Sequence, residues 1–307
     1  MNLKELLTPA EFSAVTASSD LRGAWIVACQ WALVAAIFAG AALWTNPFTV
    51  ILAVWLLGGR QLGFGVLVHE CGHRTLFRTQ RLNELVGDWL LAPPTFNNVR
   101  AYMRGHLHHH RLAGTHEDPD LPNYRDYPIT RTRLKRKLLR DLSGQTGWRT
   151  ARNIGRGFAN LGTLPPETRA ALLRGVGVNA LMLAVLTAFG AAWLYLLWVV
   201  AFVFANPLIS RVRQVAEHAA VPDLYDPDPR RNTRTLEAGW LARLVFCPHD
   251  INYHLEHHLL ASVPIYRLRP LHRMLKEKGF YDGVEFPNSY WQLLRQVTLP
   301  EQRIAAA

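Results

Sequence analysis

The sequence predicts an all-α integral membrane protein: four transmembrane helices in two hairpins, with a helical cytoplasmic cap holding a metal site. Three observations lead there. Long apolar runs occupy 24–44, 48–68, 171–188 and 191–208. Lys and Arg crowd the segments on one side of those runs and are missing from the turns on the other. Finally, eight of the 13 histidines fall into three short clusters, all on the basic side.

The spans come first. Residues 24–44 (AWIVACQWALVAAIFAGAALW) carry no charge, and at about 1.5 Å per helical residue they cross the ~30 Å of a bilayer core. Thr45-Asn46-Pro47 is a tight turn, and 48–68 returns with one charge, Arg60. A charged side chain inside a span faces protein or a water-filled cavity, so Arg60 is expected either to line a cavity leading to the site or to be a snorkelling or paired residue without a chemical role. Residues 171–208 are too long for one helix and suit two, broken near Gly190. The tips 45–47 and 189–192 lack Lys and Arg, so both termini and every histidine cluster are expected on the cytoplasmic side. The cytoplasmic regions are then 69–170 and 209–307 of a single domain spanning 1–307.

Between the hairpins, 74–174 is polar and holds 18 of the 34 Lys and Arg. Within it, 82–94 (LNELVGDWLLAPP) is apolar but too short to span, which predicts an interfacial or core segment. Gly, Pro and Asp punctuate 114–128, an ordered loop. RTRLKRKLLRDL (131–142) reads as a basic amphipathic helix, a solvated face or one suited to anionic headgroups or to an acidic redox partner. The basic residues flank apolar spans, which argues against a nucleic-acid partner. Cys29, Cys71 and Cys247 form no CxxC pair and no disulfide framework. The N-terminus lacks the pattern of a signal peptide, so the chain is expected not to be exported.

The histidine clusters carry the chemistry. On a helix, His106, His109 and His110 share one face while His108 points away, because each residue advances about 100°. His254, His257 and His258 repeat that spacing, and His69 and His73 stand one turn apart. His218, after the fourth span, is a ninth candidate. Neutral imidazole is the commonest side-chain metal ligand, and a nitrogen-rich set favours iron, zinc, copper or nickel over calcium or magnesium. Glu70, Glu256, Asp118, Asp120, Asn252 and Gln214 are candidates to orient the imidazoles through their free ring nitrogens. His108, His116, His249 and His272 are expected not to be ligands. HECGH (69–73) also matches the zinc metalloprotease pattern HExxH, with Glu70 as general base, but that reading leaves both HxxHH clusters unexplained. A metal carrier would want ionisable or thiol groups along the spans, which offer little beyond Arg60 and Cys29.

The order HECGH, HLHHH (106–110), Glu-His after the fourth span and NYHLEHHL (252–259) resembles the membrane fatty acid desaturase family, the histidine-box enzymes with two irons. The likeness covers roughly residues 24–275, and SVPIYRLRPLH (262–272) is similar too. It implies two Fe ions ligated by His69, His73, His106, His109, His110, His218, His254, His257 and His258, with Gln214 contacting one iron through water. It further implies oxidation of an unactivated C–H bond of a lipid or fatty acyl substrate by O2, with a tunnel from the membrane face. Electrons would come from a separate ferredoxin-, rubredoxin- or cytochrome b5-like donor, and the expected location is a bacterial inner membrane. The product would be an alkene. The alternative is a related hydroxylase or ketolase acting on a lipid, alkane or carotenoid: HHRLAGTHEDPD (109–120) resembles a ketolase pattern, whereas NYHLEHHL favours acyl-chain desaturases.

Overall fold

The computed structural model describes residues 6–300 and is mostly helical; the chain ends, and with them the expected cytoplasmic termini, lie outside those residues. Among the described residues, four helices are long and apolar enough to cross a membrane: Pro9–Leu43, Pro47–His73, Pro166–Ala188 and Leu194–His218. The first comprises α1 (Pro9–Thr16) and the apolar α2 (Asp20–Leu43), started by a Ser19 side chain that accepts from Arg22 N. The next, α3 (Pro47–His73), starts where the expected turn lies. Asn46 accepts from the backbone N–H groups of Phe48 and Thr49, and Pro47 fills the first helical position, where its missing N–H costs nothing.

Helix α3 is the centre of the molecule. Of its apolar window 61% is buried, against 17% for Pro166–Ala188, so the former is wrapped by protein while the latter presents most of its surface outward. Beyond it come α4 (Gln80–Val86), with a π-helical turn at Gly87–Leu91, and α5 (Val99–Leu112). The apolar stretch that was too short to span divides accordingly: Leu91 is buried, while Trp89 and Leu90 are exposed.

The basic segment forms α6 (Arg131–Leu142), followed by α7 (Gln145–Ala159). Preceding α6, β1 (Ile129–Thr130) pairs in parallel with β2 (Thr298–Leu299). Helix α8 (Pro166–Ala188) leads to α9 (Leu194–His218). Their join is held by the buried Asn179, which donates to Pro93 O at 3.2 Å and accepts from Tyr195 at 3.0 Å.

The spanning helices α3, α8 and α9 run past the apolar stretches that announce them. Hydropathy ends at the bilayer core, whereas the helix continues as long as its polar side chains find partners in the protein. Helix α9 relaxes into a π-helical turn at Ala201–Ala205, just before Pro207, whose absent N–H and bulky ring cannot continue a regular α-helix. At that turn Gly147 of α7 sits against the backbone: a Cβ there would lie 2.1 Å from Val203 O. Further helices are α10 (Trp240–Val245), α11 (His254–Leu259), α12 (Ile265–Glu277) and α13 (Tyr290–Gln296).

Two apolar clusters make the core. One fills the space between the spans around Val34, Phe64, Leu67 and Trp198. The other packs beneath the histidine-bearing helices, around Tyr124, Ile209, Leu255 and Leu268. Arg60 lies buried at their edge, donating to Gln30 Oε1 (3.2 Å) and to Leu244 O (2.6 Å).

Candidate metal centre

Each histidine cluster falls on a helix end aimed at one region. Helix α3 brings His69 and His73 in its last turns, α5 brings His106, His109 and His110, α9 ends on His218, and α11 carries His254, His257 and His258. His108 is exposed on the opposite face of α5. The nine imidazoles divide into two groups. In the first, ligand atoms of His69, His73, His106, His110 and His257 lie within 4.8 Å of one another. In the second, those of His109, His218 and His258 do the same, and His254 joins them, its Nε2 2.9 Å from that of His218 and 3.1 Å from that of His258. The groups adjoin, the His110 and His258 rings stacking with centroids 4.3 Å apart.

The donor set fits cations. His69 Nδ1 lies 3.0 Å from Glu70 Oε1, His109 Nδ1 2.8 Å from Asp118 Oδ1, and His218 Nδ1 3.2 Å from Asn232 O. An imidazole that donates through Nδ1 bares a lone pair at Nε2. Those Nε2 atoms face other Nε2 atoms: His69 to His257 at 2.9 Å, His109 to His258 at 3.3 Å, His218 to His254 at 2.9 Å. Protons do not resolve the conflict. Burial first, then the neighbouring histidines, hold His106, His254, His257 and His258 well below the usual imidazole range and push His110 down to about 3. Lone pairs converging in this way, braced from behind by carboxylates and a carbonyl, are able to hold metal ions.

The candidate orienting groups differ in what they touch. Glu70 braces His69, and its Oε2 accepts from Thr75 Oγ1 at 2.8 Å and Ile265 N at 2.9 Å. Both oxygens are thereby engaged behind the histidines. Asp118 braces His109 and accepts from Tyr124, while Asp120 Oδ2 lies 4.0 Å from His109 Nδ1. Glu256 is fully buried but bonds no histidine of either group: it accepts from Thr235, from His272 Nδ1 at 2.6 Å and from Tyr281 at 2.5 Å. Asn252 donates to Leu236 O at 2.8 Å. Gln214 lines a polar cavity beside the second group.

Sequence reasoning missed Glu217, whose Oε1 lies 3.6 Å from His254 Nδ1, and Arg213, bonded to that same oxygen. It also missed Tyr102, stacked on His106. The signal for the first was present: Glu217 adjoins His218 as Glu70 adjoins His69. The four remaining histidines stay outside both groups: His116 stacks on Tyr225, His249 meets Gln30 and His272 meets Glu256.

Comparison with known proteins gives the family. The family model "Fatty acid desaturase" matches residues 44–287. The chain is 26% identical to an sn-1 oleoyl-lipid 12-desaturase of Picosynechococcus sp., over 82% of this chain and 76% of that one. It is 29% identical to a beta-carotene ketolase of Paracoccus sp., over 83% and 90%, and 23% identical to a dihydrorhizobitoxine desaturase of Bradyrhizobium elkanii, over 85% and 77%. That family uses iron, which the histidine groups are able to bind. With its apolar helices and a family match over most of its length, the chain is a membrane protein that belongs to the fatty acid desaturase family, as an oxidoreductase of the desaturase type.

Proposed function

We propose that this protein introduces a double bond into a fatty acyl chain, using O2 and electrons from a separate carrier. The observation that carries the reading is the convergence of nine imidazoles, in groups of five and four, with His69, His73 and His218 at the ends of membrane-length helices. Two irons held by those groups would supply the O2 chemistry needed to remove hydrogen from an unactivated methylene. The balance is then two hydrogens from the chain, two electrons from the carrier and two protons, reducing O2 to two waters.

The protein's own residues position and protect. Glu70, Asp118 and the Asn232 carbonyl hold three imidazoles with Nε2 inward. Burial keeps the ring nitrogens available as lone pairs and water away from the reacting carbon. The exposed cations of α6 and α7 support docking of an acidic ferredoxin-, rubredoxin- or cytochrome b5-like donor. The Lys- and Arg-free turns at 45–47 and 189–192 support two hairpins, with termini and metal site on the cytoplasmic side of a bacterial inner membrane.

A second reading, oxygen insertion as by a ketolase, is favoured by the 29% identity to a beta-carotene ketolase. Metal analysis and lipid profiling of expressing cells, beside a His109→Ala control, separate the two. Two irons per chain with new unsaturated acyl chains, both reduced in the control, is the expected result. Two irons with oxygenated products would install the second reading, and one zinc without oxidised lipid would overturn both.

A further inference from the structure

The cavity that reaches the histidines is polar. It has a volume of about 340 Å³ and lies between α5, α7 and the cytoplasmic half of α9, against His106, His109, His218 and His254. The larger apolar groove, about 770 Å³ between α2, α8 and the Trp89-Leu90 turn, is lined by none of the nine histidines. On α9, Asn206, Ser210, Arg213, Gln214 and Glu217 line the polar cavity at helical spacing, a hydrophilic stripe on a helix of membrane-spanning length. Polar side chains in such a helix are costly and are kept for a partner or a ligand.

Most of the polar groups around the cavity are already spent. Arg211 grips the buried Asp141, Thr146 also bonds Asp141, Tyr124 donates to Asp118, and Asn206 donates to Gly58 O. Among the described residues Tyr102, Ser210, Gln214 and Arg213 keep unpaired donors in the cavity, and the one cation of these four is Arg213. Its Nε donates to Glu217 Oε1 at 2.6 Å, and its two terminal nitrogens have no hydrogen-bond acceptor among the described residues. Glu217 neutralises the guanidinium and fixes its plane, leaving the outer edge of the fork free in the cavity that adjoins the second histidine group.

We infer that Arg213 is a substrate-binding residue that takes a hydrogen-bond-accepting oxygen of the substrate, a carboxylate, ester carbonyl or hydroxyl, so that oxidation occurs within a few bonds of a polar group. This rests on the proposed oxidation of a lipid and narrows its substrate class. A plain hydrocarbon segment in this cavity would leave the Arg213 donors dry and unpaired, an arrangement that rejects it.

Equilibrium binding to the purified, iron-loaded protein tests this without turnover. Radiolabelled dodecanol is the probe, and unlabelled dodecanoic acid, methyl dodecanoate and dodecane are the competitors. The expected result is that the oxygen-bearing ligands compete at least about tenfold better than dodecane, the scale of one hydrogen bond to a charged group. Preference for the acid alone assigns a carboxylate, and preference for all three oxygen-bearing ligands assigns a neutral oxygen. Arg213→Met should abolish the preference and Arg213→Lys should retain part of it, with iron content reporting that each variant is folded. Equal competition by dodecane in the unaltered protein overturns the inference even if neither variant folds, as does a preference that survives Arg213→Met. Because binding is read directly, absence of oxidised lipid in cells would count against the proposed reaction and not against this site.

Discussion

Nη2 of Arg60, midway along α3, donates to the carbonyl oxygen of Leu244 at 2.6 Å. That bond joins the central spanning helix to the end of α10, ten residues before the first histidine of α11. Arg60 is therefore a paired residue, the blander of the two roles that its position in a span allows. With Gln30 it forms a polar knot within apolar surroundings, and His249 reaches the same Gln30 oxygen at 3.1 Å. Arg60→Met should leave the Leu244 carbonyl and Gln30 short of donors, at a cost of about 1–3 kcal/mol. The expected outcome is a lowered Tm and reduced iron retention with unchanged membrane insertion; an unaltered Tm and iron content would show that α11 is held without this bond.

Asp118 and Glu256 are both buried carboxylates near the histidines, yet they should fail differently. Asp118→Asn removes the charged acceptor behind His109, and loss of such a brace commonly costs about 10- to 100-fold in metal affinity. Iron-binding titration of the variant reads this directly. Glu256 bonds Thr235, His272 and Tyr281 and no histidine of either group. Glu256→Gln should therefore lower Tm while leaving intrinsic iron affinity close to normal. Equal effects of the two substitutions on iron affinity would contradict the geometry.

Gly147 allows α7 to lie directly on the π-helical turn of α9. A Cβ would meet Val203 O at 2.1 Å and Val203 Cα at 2.5 Å, both backbone atoms without freedom to step aside. Gly147→Ala should cost about 1–3 kcal/mol as an overpacked contact, read as a fall in Tm. Gly155, on the same helix with no neighbour near its added Cβ, is the control: Gly155→Ala should leave Tm unchanged or slightly raised.

Acid should destabilise the metal-stripped protein. Burial first, and then the charges of His73 and His109, push His110 down to about 3 from an ordinary 6.5. Between those values the unfolded chain binds a proton that the folded chain refuses, so stability present above about pH 6.5 is lost as pH falls. The His254, His257 and His258 shifts act in the same direction. Tm measured from pH 7.5 to 5 should drop with a slope of more than one proton; a flat profile would mean that the imidazoles are not held neutral by the fold.

Four helices of membrane length were legible in the sequence because lipid imposes a simple rule: residues 24–44 carry no charge at all. Their true extents were not, because His69, His73 and His218 ride on helical turns whose polarity ends the hydropathy signal but not the helix. The histidine faces were equally legible from spacing. How those faces divide was not: His106, His109 and His110 share one side of α5, yet His109 turns to the second group while its neighbours turn to the first. Spacing locates a face to within a third of a turn and carries no information about which of two adjoining targets each ring meets. Glu256 illustrates the complementary limit. Its place inside NYHLEHHL suggests a role toward the metal, but on a helix it points away from its flanking histidines, and tertiary packing supplied His272 and Tyr281 instead.

The division of α5 and α11 between the groups also shapes how the site fills. Helix α5 gives His106 and His110 to one group and His109 to the other, while α11 gives His257 to one and His254 with His258 to the other. A cation held by either group would tie both helices together and so hold the ligands of the other in place. The ordering entropy is thus met once and shared. Loading should be cooperative, with half-filled molecules scarce at every metal concentration, so that a cell short of iron holds a mixture of empty and complete enzyme.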